Sequence, residues 1–146
     1  MNYVIIGNSA AAVGCIEGIR SVSSKGKITV ISKEHFHTYS RPLISYYLCG
    51  KTDGERIKYR PDSFYADNGC ELVYGEVTAI NEKAVTLSDG KKVPYDKLLV
   101  ATGSRAFVPP FSGLDTVPEK FTFMSMDDAL ELEKVLGKDK DVLIVG

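Results

Sequence analysis

The residues whose types and spacing could do chemistry begin in Tyr3 to Arg20, Y-V-I-I-G-N-S-A-A-A-V-G-C-I-E-G-I-R. Gly7, Ser9 and Ala12 occupy the three positions of a Gly-x-Gly-x-x-Gly pattern, with serine and alanine replacing the later glycines. The chemistry this suits is anion binding. A strand that turns tightly into a helix aims unpaired backbone N–H groups and the positive helix end at one spot, where a pyrophosphate fits. Gly7 permits the turn, Ala12 still allows close helix-to-strand packing, and Ser9 is small and could add a hydroxyl contact. Small residues between a strand and a helix also serve packing alone, so the turn by itself leaves both readings open.

Three further places carry polar groups of interest. Glu34 lies 22 positions past Ala12, near where an acidic residue takes the ribose hydroxyls in a β-α-β dinucleotide unit, and Ser32 and Lys33 at the same strand tip could share that contact. The alternative for Lys33 and Glu34 is a solvated ion pair. Arg41 stands beside a helix start, where an always-charged fork can hold a phosphate or an anionic ring, or simply face solvent. His35 and His37 are the only histidines; without a third ligand in register they make a poor metal site and read as loop residues.

The elements that must position these groups follow from pattern. Val4, Ile5 and Ile6 form a short apolar run of the kind buried on both faces, and Val13, Ile16, Glu17 and Arg20 then recur at helical spacing. After the polar break Ser23 to Gly26, Lys27 to Ser32 reads as a second buried strand, completing a β-α-β unit. Pro42 suits the first turn of a short helix over Leu43 to Leu48, and a second short helix is expected from Pro61 to Asn68. Alternating runs follow at Glu71 to Tyr74, Glu76 to Ile80, Ala84 to Leu87 and Lys92 to Tyr95, and Asp89-Gly90 between two of them is a hairpin signal, so an inserted antiparallel meander is expected. Asp96 to Gly103 reads as another buried strand ending in small residues at a carboxyl-end crevice. Ser104 to Gly113 reads as an extended connector, and Ser125 with Asp128 as a capping box that opens a helix from Met126 to Leu136. Asp141 to Gly146 repeats the opening pattern of strand plus glycine, from which we expect a fragment cut where a second β-α-β unit begins.

With 146 residues, 44% of them hydrophobic and 25% charged, the chain can bury one core. A net charge of -1 leaves no electrostatic footprint for nucleic acid or an anionic membrane, and no apolar run reaches the roughly 18 residues of a membrane span. Cys15, Cys49 and Cys70 are odd in number and widely spaced, which suits reduced thiols in a cytoplasm.

Taken together, the Gly7-x-Ser9-x-x-Ala12 turn, the Tyr39-Ser40-Arg41-Pro42 loop, the meander and Tyr95 to Arg105 (Y-D-K-L-L-V-A-T-G-S-R) resemble the pyridine nucleotide-disulfide oxidoreductase superfamily, flavoprotein reductases with two dinucleotide domains. The resemblance covers the whole chain. It implies an α/β, Rossmann-like three-layer fold that binds FAD, with a parallel sheet and the meander inserted. It further implies that residues 1–115 are the first part of the FAD domain, 116–140 a connector and helix, and 141–146 the first strand of an NAD(P)H domain.

By position, the resemblance places Gly7, Ser9, Ala10, Ala11 and Ala12 around the FAD pyrophosphate and Glu34, with Ser32 or Lys33, on the adenosine ribose. Val77 would meet the adenine through its backbone, Arg41 and Pro42 would sit near the flavin, and Ala101, Thr102, Gly103 and Arg105 would lie near the cofactor. Pro42 holds the place where members with a cysteine relay carry that cysteine, and Cys49 is expected to be a packing residue. The chain therefore looks most like reductases of rubredoxin and ferredoxin type or the flavin portion of NADH-dependent nitrite reductases. The implied activity passes a hydride from NAD(P)H to FAD and electrons onward to a small iron-sulfur protein, in an enzyme that could be a homodimer. An NADH oxidase, peroxidase or disulfide reductase relaying through Cys49, and a module that only binds an adenine dinucleotide, are the alternatives.

Overall fold

In the computed structural model, which describes residues 1–145, the fold grows from two parallel strands. β1 (Asn2–Ile6) and β2 (Lys27–Ser32) pair from Asn2↔Lys27 to Ile6↔Ile31 and are joined by α1 (Ala10–Val22). Side chains alternate along a strand. Ile5, Ile28 and Val30 therefore pack on Ala12, Val13 and Ile16 of α1, while Val4, Ile6 and Ile31 point to the opposite layer. Burial on both faces is the reason these strands read as unbroken apolar runs.

After β2 a loop leads through a single 3-10 turn (Arg41–Leu43) into α2 (Ile44–Leu48), with Pro42 in its first turn as expected. Cys49, expected to pack, is instead exposed where α2 ends. The second short helix, α3 (Phe64–Asp67), is shorter than the pattern suggested; its Phe64 and Tyr65 are buried against α1 and the sheet.

β3 (Cys70–Tyr74) corrects the sequence reading. It does not open the meander but pairs with β2 in parallel, from Ile28↔Cys70 to Ser32↔Tyr74. The segment carrying α2 and α3 is long enough to serve as the crossover that parallel pairing requires. The meander proper is a three-stranded antiparallel sheet of β4 (Val77–Ile80), β5 (Ala84–Leu87) and β6 (Lys92–Pro94). Its second turn carries Gly90 at φ +84, and Asp89 accepts from the Lys91 amide at 2.8 Å, which is the hairpin chemistry of Asp-Gly. Val85, Leu87 and Val93 of this sheet cover Val4, Ile6 and Ile31.

β7 (Lys97–Val100) then returns to pair with β1, giving a four-stranded parallel sheet of order β3-β2-β1-β7 between a helical layer and the small sheet. β7 is less buried than its apolar run suggested, because it lies at the sheet edge, and Val100 is 55% exposed. The connector beyond it is extended apart from a 3-10 turn (Leu114–Thr116). α4 (Met126–Val135) follows, opened by the expected capping box: Ser125 Oγ accepts from the Asp128 amide and Asp128 accepts from the Ser125 amide, both at 3.1 Å. α4 docks its Met126 and Ala129 on Tyr39, Ile44 and Ile57, a third apolar cluster.

Residues 141–145 carry no strand, and Val142 to Val145 are exposed; a strand needs a partner, and none pairs with them among the described residues. Gly146, the glycine that completed the repeated pattern, lies outside the described residues.

Candidate dinucleotide site

Strand order fixes where a ligand can enter. From β1 the chain moves outward through β2 to β3 on one side, then returns to add β7 on the other. Such a reversal opens a crevice beyond the carboxyl ends of the two strands that flank it. Gly7 and Ala101 form its two lips. The Gly7 amide donates to Ile31 O and the Ala101 amide to Ile6 O, each at 2.8 Å. Gly7 has φ +110, and a Cβ there would lie 2.1 Å from Ala101 O, so both its conformation and its close approach demand glycine.

α1 begins immediately beyond this turn. Ser9 is its N-cap residue in extended conformation, its side chain makes no cap hydrogen bond, and the first turn holds no acidic residue. The Val13 amide is bonded to Ser9 O at 3.0 Å, which leaves the amides of Ala10, Ala11 and Ala12 in the part of a helix that has no intrahelical acceptor. Ala10 and Ala11 are exposed, whereas Ala12 is fully buried against the sheet. Uncompensated amides, a free hydroxyl and small side chains fit the diphosphate of a dinucleotide such as FAD.

At the end of β2 the buried Ser32 donates its hydroxyl to Glu34 O at 2.6 Å, and Lys33 pairs with Glu76 across the surface at 2.8 Å. Glu34 turns its carboxylate into the following loop. Its Oε1 accepts from Arg41 and its Oε2 from the Tyr39 hydroxyl, each at 2.5 Å. The Met126 amide at the start of α4 donates to the Tyr39 oxygen at 2.9 Å, and Arg41 also donates to Met124 O at 2.9 Å. Burial, reinforced by the Glu34 carboxylate, holds the Tyr39 phenol far above its ordinary pKa, so it remains a donor. Glu34 and Arg41, expected to serve different parts of one cofactor, are thus paired with each other. A carboxylate accepts up to four bonds and a guanidinium donates five, so both retain capacity for a ligand.

Pro42 is exposed beside Arg41, and Thr102 and Gly103 are exposed just beyond Ala101. Val77 opens β4 and packs against the cluster containing Ile6 and Ile31, beneath the strand ends. Arg105, in the connector, makes no hydrogen bond or ion pair among the described residues and is exposed. His35 stacks on Tyr74 with ring centroids 4.7 Å apart, and His37 meets Tyr65 edge-on at 5.0 Å. Sequence reasoning missed the parts played by Asn8, Tyr39 and Tyr65. The signal for Asn8 was present, since it is the one bulky polar side chain in a turn of small residues; the tyrosines reach the site only through tertiary contacts.

Comparison with known proteins agrees with the fold. All of residues 1–146 match the family described as pyridine nucleotide-disulphide oxidoreductase. The chain is 35% identical over 149 residues to the NADH-dependent phenylglyoxylate dehydrogenase subunit epsilon of Aromatoleum evansii, covering 99% of this chain and 35% of that protein. It is 30% identical over 150 residues to rubredoxin-NAD(+) reductase of Pseudomonas putida, covering 100% of this chain and 39% of that protein. The crystal structure of a covalent putidaredoxin reductase-putidaredoxin complex matches with a TM-score of 0.78 and 29% identity, over 91% of this chain and 33% of that one. The chain therefore spans little more than a third of the length of these relatives. FAD is the cofactor of this family and NAD(P)H its co-substrate. The chain belongs to the pyridine nucleotide-disulphide oxidoreductases and carries the FAD-domain portion of that superfamily.

Proposed function

We propose that this chain is the FAD-binding part of an NAD(P)H-dependent oxidoreductase that delivers electrons to a small redox protein of rubredoxin or ferredoxin type. The observation that carries the reading is the Gly7–Ala101 crevice beside the uncompensated first turn of α1. The relatives' names, which include a rubredoxin reductase and a putidaredoxin reductase seen with its redox partner, support the choice of acceptor.

When bound, FAD supplies the ability to take two electrons from NAD(P)H and release them to an acceptor. The protein supplies position. The amides of Ala10, Ala11 and Ala12 and the Ser9 hydroxyl hold the diphosphate, and Gly7 and Ala101 to Gly103 leave room for it. Ser32, Lys33 and Glu34 edge the ribose, and Val77 lies at the adenine end. Arg41, expected near the flavin, is paired with Glu34 and so lies with Pro42 at the ribose end, and Arg105 lies in the connector; because Glu34 already offsets its charge, Arg41 orients more than it attracts. Residues 1–115 then form the FAD-binding part, 116–140 the connector and helix, and 141–146 the opening of a second nucleotide domain. Three free thiols, Cys15, Cys49 and Cys70, favour a reducing compartment such as the cytoplasm. Among the described residues no helix is long and apolar enough to cross a membrane.

The test is the visible absorption spectrum of the purified protein before and after added FAD, with any released cofactor identified after denaturation. Flavin bands in the bound fraction and recovery of FAD are expected. A colourless protein that takes up no added FAD overturns the reading.

A further inference from the structure

Asn8 is the residue of the Gly7–Ser9 turn that no cofactor role absorbs, yet it is the one with side-chain partners on two sides. Its Oδ1 accepts from the Tyr65 hydroxyl at 2.5 Å, and its Nδ2 donates to Phe36 O at 3.2 Å. Tyr65 comes from α3, only 8% exposed, packed edge-on against Phe64 and His37 with centroids at 5.4 and 5.0 Å. One side-chain amide therefore ties the turn to two separate parts of the fold, the helix before β3 and the loop after β2.

We infer that Asn8 and Tyr65 are positioning residues that preorganise the turn for the dinucleotide diphosphate. The inference rests on the proposed FAD site and adds to it the device that holds the site open. The amides that would face a diphosphate belong to Ala10, Ala11 and Ala12, whose side chains are methyl groups with no polar hold of their own. Gly7 anchors one end of the turn through its amide and its contact with Ala101. Without a second anchor, the residues between Gly7 and α1 are free to rotate, and a ligand must order them on binding, which lowers affinity. The Tyr65–Asn8–Phe36 chain is that second anchor. By gripping the Phe36 carbonyl it also ties the turn to the loop that carries Glu34, so the diphosphate and ribose contacts are set in one frame.

The experiment measures the Kd for FAD by quenching of flavin fluorescence in the wild-type protein and in Tyr65→Phe, Asn8→Ala and the double variant, with melting temperatures for each. Tyr65→Phe keeps the ring and its packing and removes only the hydroxyl. Tyr65→Phe is expected to weaken FAD about tenfold, as loss of one part-buried hydrogen bond to a preorganised group implies, and Asn8→Ala, which removes both bonds, by about tenfold or more. The double variant is expected to be no weaker than Asn8→Ala, because the bond that Tyr65→Phe removes is already lost in it. Ile28→Val, buried at the amino end of β2 away from the turn, lowers stability through a small cavity and is expected to leave the Kd unchanged. An unchanged Kd in Tyr65→Phe and Asn8→Ala, additive losses in the double variant, or an equal loss in Ile28→Val would each overturn the inference while leaving the FAD site standing. Failure of the wild-type protein to bind FAD would instead overturn the site itself, and the inference with it. Should Tyr65→Phe not fold, Asn8→Ala tests the same bond from its half-buried partner.

Discussion

Replacing Gly7 by alanine puts one methyl group where the backbone of Ala101 leaves no room for it. The new Cβ would stand 2.1 Å from Ala101 O, 2.7 Å from Ala101 C and 3.2 Å from Thr102 N, all of them backbone atoms that cannot swing aside. Relief requires the chain after β7 to retreat by about 1 Å, which stretches the 2.8 Å bond from the Ala101 amide to Ile6 O. The lost bond costs about 1 kcal/mol. Holding alanine at φ +110 costs roughly 1–3 kcal/mol more, and residual overlap adds about 1 kcal/mol, for a total near 3–5 kcal/mol. For a chain of this size that lowers Tm by roughly 10–20 °C. Thermal unfolding followed by far-UV circular dichroism reads it, with Gly14→Ala as the control. Gly14 is an exposed interior position of α1 where a Cβ meets nothing within 4 Å, so alanine there should stabilise by about 0.5–1 kcal/mol. A Gly7→Ala protein that melts within about 2 °C of wild type, on the scale just given, would refute the claim that the β1 turn and the β7 exit are packed backbone to backbone.

Two further predictions concern the Tyr39 network. The Tyr39 phenol keeps its proton in the folded protein at pH values where an unfolded tyrosine, titrating near 10, has lost it. Above about pH 10 the native state therefore binds more protons than the unfolded one, and stability falls as pH rises. Denaturant unfolding as a function of pH should show this decline, and Tyr39→Phe should flatten part of it; Tyr65, whose pKa is raised in the same direction by burial, supplies a remainder. An alkaline slope identical in Tyr39→Phe and wild type would reject the assignment. Ser125→Ala removes the acceptor of the Asp128 amide from the α4 capping box and should cost about 1 kcal/mol, read as faster hydrogen exchange confined to α4 and its contacts with Tyr39 and Ile57.

What was legible in the sequence is what is local. β1, α1 and β2 follow from two apolar runs and one helical stripe because each buries its face against its immediate neighbours in the chain. The α4 capping box spans four consecutive residues and needs no tertiary information. β3 misled for a physical reason. Alternation reports burial shared between faces, and an edge strand shows it whichever way its partner runs; Cys70 and Leu72 face the α1 layer while Val73 faces the small sheet. The direction of pairing is decided by the crossover length, which no six-residue window contains. The same limit governs the site. Gly7 could be singled out from its neighbours alone, but the Glu34–Arg41 pair depends on a loop folding back on itself, and the amide that completes it, Met126, lies 92 residues beyond Glu34.

That distance has a consequence for how the site works. Met124 and Met126 both bind the Tyr39–Arg41 loop, through the Met124 carbonyl and the Met126 amide, so the start of α4 braces the strand-end loop. The orientation of Arg41 is thus set from outside the crevice, by a helix that contributes nothing to the Gly7 turn. A weakened α4 should loosen the Glu34–Arg41 pair at the proposed ribose contact and leave the turn anchored by Gly7 and Asn8 intact. The proposed diphosphate turn is thus held from within the first β-α-β unit and α3, while the Glu34–Arg41 pair takes a second brace from residues that follow the parallel sheet.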